Sequence, residues 1–401
     1  MSVIPPSLKI LVLTTSFPLF KGSRSGIFVK KLVDNLPPEL MISVLTPDGT
    51  AHYTPELLKY PLIRFRYAPK GWQQLAHGAG GIMAVLSQRR ITCLLIPLFL
   101  ISNLVTSCWY AVKTDVIHAN WSINGVLAGI AGFLTRTPVV TTLRGSDVNM
   151  MSTSWMMRQF VYLSLCLSRR IVVVSASMKK SVVKEFPAHH HKVQIIHNGI
   201  DDAFYKNNNN IFVPSKIVRF LYVGNLVEGK GVKIIVKALK SLVNLECSLD
   251  IVGDGREKQY LVNYCNDNRL DSKVTFHGAV APEKVPLFLQ KADVFVFASF
   301  AEGRPNAVLE AMAMGLPIIA SAIPAVQELI TDGFHGLLFP PGNEEKLQDA
   351  MKCMITCRED RRMMGKNAEE YILAQELSWR ESADQYATVY KDVYMSSTRT
   401  V

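Results

Sequence analysis

The chain has 401 residues, 49% hydrophobic and 19% charged, which allows two domains of about 150–200 residues each and argues against a disordered protein. Its seven cysteines (Cys93, Cys108, Cys166, Cys247, Cys265, Cys353, Cys357) are odd in number and form no C-x-x-C pair, so neither a disulfide framework nor a zinc site is expected, and reduced thiols in the cytoplasm are. The net charge of +11 is uneven: residues 1–200 hold 21 Lys and Arg against 7 Asp and Glu, a balance of +14, and residues 201–401 hold 23 against 26, a balance of −3. A basic first half suits an anionic membrane surface or an acidic acceptor, or simply a solvated face; with no basic-aromatic strip and no helix-turn-helix pattern, nucleic acid is not expected as a partner.

The opening MSVIPPSLKILVLTT lacks a basic region followed by an apolar core and a small-residue cleavage site, so no signal peptide is read there. Short apolar strands are predicted at 9–14, 42–46, 116–118, 139–143, 171–175 and 193–197, with longer amphipathic segments between most of them. Gly22 and Gly26, in the loop after the first strand, serve the turn or admit a diphosphate. From 91 to 112 the chain carries no charge, flanked by Arg89, Arg90 and Lys113, which meets the length criterion for a membrane span. Pro97, Ser102, Asn103, Thr106 and Ser107 dilute it, however, and a span there would tear the sheet strand that follows. A helix packed within the first domain, or one touching the membrane interface through basic flanks, is expected instead. His118 reads as a core histidine, Asp147 as a helix cap or a site residue, and His189–His191 as a loop rather than a metal site.

Residues 201–215, with the Asn207–Asn210 run, read as a linker. A second strand series follows at 219–223, 248–252, 274–277, 294–298 and 317–320. The alternation predicts an α/β protein: two Rossmann-like domains, 1–200 and 216–377, with parallel sheets facing across a cleft where the carboxyl ends of the strands would bind ligands. In the segment 219–231, RFLYVGNLVEGKG, a strand runs into Gly224 and a loop carrying Gly229, Lys230 and Gly231. The spacing matches the start of a P-loop, but Gly231 stands where Ser or Thr should hold magnesium. Gly253-Asp254-Gly255 gives G-x-G without a third glycine, a weak nicotinamide signal. Both loops still admit close approach by a nucleotide. Glu302 and Glu310 lie eight positions apart across a strand-to-helix junction, with Pro305 in the predicted first turn of a helix ending at Gly315. The amides of Gly303 to Ala307 therefore surround a helix N-terminus, a ready anion site.

In this order and spacing, VGNLVEGKG, IVGDG, FHGAV, EGRPNAVLEAMAMGLPIIAS and DGFHGLLFPPGN resemble family 4 of the glycosyltransferases, retaining enzymes of GT-B fold. SGIFVKKL, DVIHANW, TTLRGSDVN, VVVSASMKKSV and IIHNGID in the first half are similar to the same family, and the nearest likeness is to bacterial enzymes that build surface polysaccharides. The resemblance implies that Glu310 holds the ribose hydroxyls of a nucleotide-sugar co-substrate. Glu302 would lie by the sugar ring, the amides of Gly303, Arg304, Asn306 and Ala307 around Pro305 would meet sugar hydroxyls and phosphate, and Lys230 would neutralise the diphosphate. Gly26, Gly224 and Gly253 would let the backbone approach the donor, and residues 378–394 would form a helix crossing back to the first domain. No D-x-D occurs, so neither metal nor other cofactor is expected. The acceptor is expected to be lipid-linked or a polysaccharide precursor, at the inner face of the membrane. Two positions depart from the family pattern: Asn225 stands where an Arg usually contacts phosphate, and Asn120 where a second His often lies near the sugar. Arg144 is the candidate to restore positive charge. A noncatalytic nucleotide-sugar binding partner and a nicotinamide-dependent sugar oxidoreductase are the alternatives.

Overall fold

The computed structural model describes residues 7–19, 25–49, 58–77, 90–206 and 216–398; Gly22, Arg89 and the Asn207–Asn210 run lie outside them. The chain divides into two compact units, Met1–Gly199 with Trp379–Val401, and Ile200–Ser378.

The first unit is built on seven strands: β1 (Leu8–Leu13), β2 (Leu40–Pro47), β3 (Leu62–Phe65), β4 (Val116–Asn120), β5 (Val139–Leu143), β6 (Arg170–Val173) and β7 (Val193–Ile195). All pair in parallel in the order β3-β2-β1-β4-β5-β6-β7, with Ile10 opposite Ile42 on one side and Val116 on the other. The run LKILVL is nearly continuous in apolar residues because both faces of a parallel sheet are covered. Leu8, Ile10 and Val12 join one core with Tyr386 and Tyr390 of the terminal helix; Leu11 and Leu13 join another with Phe99 of the helix Ile96–Ala111.

The second unit repeats the plan with β8 (Val218–Val223), β9 (Cys247–Val252), β10 (Val274–Gly278), β11 (Val294–Phe297), β12 (Ile318–Ser321) and β13 (Gly336–Phe339), in the order β10-β9-β8-β11-β12-β13, again all parallel. Phe220 and Tyr222 pack toward Ile235 and Leu239 of the helix Val232–Lys240, whereas Leu221 and Val223 pack toward Val308 and Met312 of the helix Asn306–Ala313.

Sheet-edge strands β3 and β13 go beyond the sequence reading. LIRF and GLLF each pair with one neighbour only and lie only partly buried, so they lack the continuous apolar burial that marks the central strands. The segment read as a linker from 201 also differs. Asp202–Lys206 is a helix of the second unit, with Phe204 buried at 3% exposure and the Tyr205 hydroxyl donating to the Leu377 carbonyl at 3.0 Å. The linker reading rested on the asparagine run, which begins only at Asn207. The Ile200 amide donates to the Leu377 carbonyl at 3.0 Å, so the chain enters and leaves this unit side by side. The last helix, Trp379–Thr398, then completes the core of the first unit.

Candidate functional site

Each sheet has one point where the strand order reverses, between β1 and β4 and between β8 and β11. Loops leaving the carboxyl ends of such a strand pair diverge and open a crevice, where open α/β sheets bind their ligands. The residues singled out in the sequence gather at these two points, one set in each unit.

In the second unit, β8 runs into Gly224, whose amide donates to the Val252 carbonyl at 3.0 Å, and Gly253 follows β9 so closely that a Cβ there would lie 1.8 Å from the Gly224 oxygen. Two loops of bare backbone are thus stacked edge to edge. Gly231 explains the missing P-loop hydroxyl. It sits at φ +65° as the N-cap of the helix Val232–Lys240, and a Cβ would meet the Ala298 carbonyl at 2.2 Å, so serine cannot occupy the position without moving β11 or the loop. Asn225 is exposed, and its carbonyl accepts from the buried Tyr222 hydroxyl at 3.0 Å; burial, then the nearby Glu302 and Glu257 charges, pushes that phenol far above its usual range.

Lys230, at the end of a single 3₁₀ turn, donates its ammonium to Glu302 Oε1 at 2.5 Å across 72 residues of sequence. The same carboxylate oxygen accepts from Ser299 Oγ at 2.7 Å, and the Ser299 carbonyl accepts from Ser321 Oγ at 2.5 Å. β11 and β12 therefore aim Glu302 through two hydroxyl groups, and neither serine was singled out by sequence. The helix after Glu302 starts at Asn306 with Pro305 as its N-cap, one residue later than predicted, and no side chain caps it. Its first-turn amides form the positive end of the helix dipole, at the loop that begins with Gly303. Ala307 is in the first turn, and Glu310 is half-buried one turn further in. The Arg304 side chain belongs to the scaffold: burial lowers its pKa to about 10 against the opposing pull of Glu328, and Tyr371 lies with them, donating to the Glu328 carbonyl at 3.4 Å.

In the first unit, Gly26 caps the helix Ile27–Asn35 at φ +63°, and a Cβ there would lie 2.0 Å from the Ser16 carbonyl oxygen. The turn alone demands glycine. Asn120, at the end of β4, is fully buried. Its Oδ1 accepts from Arg144 Nε at 3.0 Å and Nη2 at 2.7 Å, while Arg144 Nη1 donates to Asn198 Oδ1 at 3.1 Å and the guanidinium lies 5.0 Å from the centre of the Phe28 ring. A buried guanidinium held by two neutral amides is under strain as a cation, and burial lowers its pKa accordingly. Asp147 caps backbone: its carboxylate accepts from the amides of Gly145, Val148 and Ser122, the last opening the helix Ser122–Thr135. Trp121, missed by the sequence reading, takes φ +69° between Asn120 and that helix and sets its ring edge-on to Phe28 at 5.8 Å. A β-region reading of the motif gives no sign of this twist, which concentrates strain beside the site.

His118 is a core residue. Its Nε2 lies 2.8 Å from Thr142 Oγ1 and its Nδ1 2.8 Å from the Tyr390 hydroxyl, and Thr142 Oγ1 lies 3.0 Å from the Tyr386 hydroxyl. Burial, assisted by the Arg144 charge, lowers its pKa to about 3, so the ring is neutral at ordinary pH. Among the described residues, no three His, Cys, Asp or Glu side chains gather as metal ligands.

Comparison with known proteins gives the family and the fold. A family model described as "Glycosyl transferases group 1" matches residues 204–371, and one described as "Glycosyltransferase Family 4" matches residues 63–204. The chain is 26% identical over 291 residues, 70% of this chain and 75% of the other, to N-acetyl-alpha-D-glucosaminyl L-malate synthase of Bacillus anthracis. It is 28% identical over 278 residues, 65% of this chain and 71% of the other, to UDP-Gal:alpha-D-GlcNAc-diphosphoundecaprenol alpha-1,3-galactosyltransferase of Escherichia coli. In fold it is similar to Anabaena HepE, crystallised with UDP and glucose, at a TM-score of 0.73 and 20% identity over 96% of this chain and 100% of that one.

Proposed function

The chain belongs to glycosyltransferase family 4 with the GT-B fold, and from that premise we propose that it moves a sugar, with retention at the anomeric carbon, from a UDP- or GDP-linked donor to a lipid-linked or polysaccharide acceptor in cell-surface glycan synthesis. The observation that carries this reading is the Lys230–Glu302 pair at the switch point of the second sheet, beside a helix N-terminus that no side chain caps. A carboxylate and an ammonium joined at 2.5 Å satisfy each other until an anion arrives. A donor diphosphate would take Lys230, and the carboxylate would then turn to sugar hydroxyls, still steadied by Ser299.

In this reading Glu310 accepts from two ribose hydroxyls, the Gly303–Ala307 amides meet phosphate and sugar oxygens, and the closely stacked loops at Gly224 and Gly253 admit the nucleotide. Asn225 offers the diphosphate a neutral amide. In the first unit Arg144, aimed by the fully buried Asn120, hydrogen-bonds sugar hydroxyls. Breaking the glycosyl phosphate bond leaves charge on the diphosphate, which fixed amides and one ammonium stabilise without a metal. The absence of any D-x-D supports metal independence. The acceptor hydroxyl attacks from the side the phosphate leaves, its proton passing to the departing phosphate oxygen; no protein nucleophile is assigned. The names of the Escherichia coli relative and of the HepE complex support UDP, and the former supports a diphospholipid-linked acceptor.

The test is donor turnover by wild type and Glu302→Gln, with UDP- and GDP-sugars, with and without EDTA, and the anomeric configuration of the product read by NMR. Retention, no loss in EDTA and a large loss in the variant are expected. A covalent sugar adduct on the protein would overturn the front-face step, and equal inactivity of both proteins would favour a noncatalytic binding partner.

A further inference from the structure

The helix Ile96–Ala111 leaves an apolar stripe exposed, while its buried side mixes Phe99 and Ala111 with polar residues. Its buried side carries Asn103 and Ser107, both fully enclosed, with Ser107 Oγ donating to Asn103 Oδ1 at 3.1 Å and Asn103 Nδ2 to Asn124 Oδ1 at 3.3 Å. Its outer side, with the residues just before and after it, carries Leu94, Leu98, Ile101, Val105, Trp109 and Val112, exposed by 53% to 74%. Steps of three and four residues put these on one stripe, about 27 Å long at the helical rise. A helix against water carries the opposite arrangement. Phe133 and Leu134, 80% and 65% exposed, extend the patch from the neighbouring helix, whose end is tied to this one by Thr137 Oγ1 donating to the Ala111 carbonyl at 3.1 Å.

Charge identifies what covers the patch. Exposed Lys113 and Arg136 follow the two helix ends, and Arg169 follows the third helix of the face, Trp155–Leu167, whose Leu167 closes against Gly129. Arg136 even occupies a left-handed position, φ +59°, that glycine would fill with less strain. From residue 90 to 184 the only acidic residues are Asp115 and Asp147; the first accepts from the Lys9 amide at 2.8 Å and the second is buried on backbone amides. The first two helices present an apolar patch with a cationic rim, and the next acidic residue along the chain, Glu185, is paired with Arg158 of the third helix at 2.5 Å.

We propose that this face seats in the headgroup layer of an anionic bilayer, with the Ile96–Ala111 helix lying in the plane of the membrane and Trp109 at the interface. The helix does not span. Asn103 and Ser107 fasten its inner side to the domain, and the Asp115 amide donates to the Lys9 carbonyl at 2.9 Å, returning the chain at once to the sheet. A second copy fits worse, because a two-fold contact would set the same basic rim against itself. The inference adds a docking surface to the proposed transferase and is tested without its chemistry.

The experiment is flotation of the full chain with vesicles of phosphatidylcholine alone or mixed with phosphatidylglycerol, at low and high salt. Binding to the anionic vesicles, weakened by salt, is expected, with a loss of about tenfold or more in the double variant Ile101→Glu/Val105→Glu and a smaller loss in Lys113→Glu/Arg136→Glu. The stabilisation of each variant by UDP shows that it is folded, and its absence in the wild type would count against the donor site rather than the membrane face. Equal flotation with neutral vesicles, no flotation at all, retention through an alkaline carbonate wash, or a dimer dissolved by Ile101→Glu/Val105→Glu would each overturn the proposal, the last two in favour of a span and a second copy.

Discussion

The two switch-point sites use polar groups in opposite ways. In the first unit, His118, Thr142, Tyr386 and Tyr390 form a closed, uncharged network inside the core. In the second, Lys230 and Glu302 meet as an ion pair whose side chains are 28% and 13% exposed, at loops that leave the sheet. Groups locked by neutral partners in a core hold the fold, since each lost partner leaves a buried polar atom unsatisfied. Charged groups at the rim of a crevice exchange partners when a ligand enters. On the proposed function, the fold-bearing and chemistry-bearing polar residues of this chain are separable.

Substitution is the direct way to break that separation. The largest effect belongs to Glu302→Gln: sugar transfer is expected to fall by about 10²- to 10³-fold, roughly 3–4 kcal/mol of transition-state stabilisation, while the thermal midpoint stays near wild type. A collapse in stability instead would make Glu302 a structural group like those of the first unit.

His118→Ala reverses the pattern, with about 3 kcal/mol lost from unfolding free energy by denaturant titration and activity per folded molecule largely kept. The same histidine sets a pH dependence. Its folded pKa of about 3 lies below the unfolded 6.5, so the unfolded chain binds the proton first. Stability is therefore full above about pH 6.5 and declines by about 1.4 kcal/mol per unit as pH falls toward 3, a slope that thermal melts of wild type show and melts of the alanine variant lack.

Gly231→Ser restores the P-loop residue type but places a Cβ against the Ala298 carbonyl at positive φ, so roughly 2 kcal/mol of stability is expected to go, with no gain in magnesium dependence of turnover. The smallest effect sharpens the comparison from the other side. Asn225→Arg, at an exposed loop position, is expected to leave stability unchanged and to tighten UDP binding by a few-fold, about 1 kcal/mol by calorimetry, by adding a second cation near the diphosphate.

Much of this was legible in the sequence where the signal is local. β8 and β11 announce themselves as apolar runs buried on both faces, and Gly224, Gly253 and Glu302 sit at offsets from strand ends that parallel sheets impose. Contacts between distant segments were not legible. Nothing near Glu302 names Lys230, 72 residues away, and nothing near His118 names Tyr390, 272 away. Ser299 and Ser321 read as ordinary strand-end serines until the parallel pairing of β11 with β12 brings them together. The uncharged segment 91–112 was legible as apolar, but not that Asn103 and Ser107 face inward while an apolar stripe faces out. That follows only from the helix phase and from Asn124 on the neighbouring helix.

The most direct measurement of the central claim is a thermal-shift panel of UDP, GDP, ADP and CMP with their sugars and NAD, run on wild type and Glu310→Ala. One nucleoside diphosphate and its sugar should stabilise the wild type, by about 2.7 kcal/mol at a hundred times the dissociation constant, and Glu310→Ala should lose most of that gain. A panel that is flat across all nucleotides, or one in which NAD alone stabilises the chain, would contradict the assignment of the second unit as the nucleotide-sugar domain.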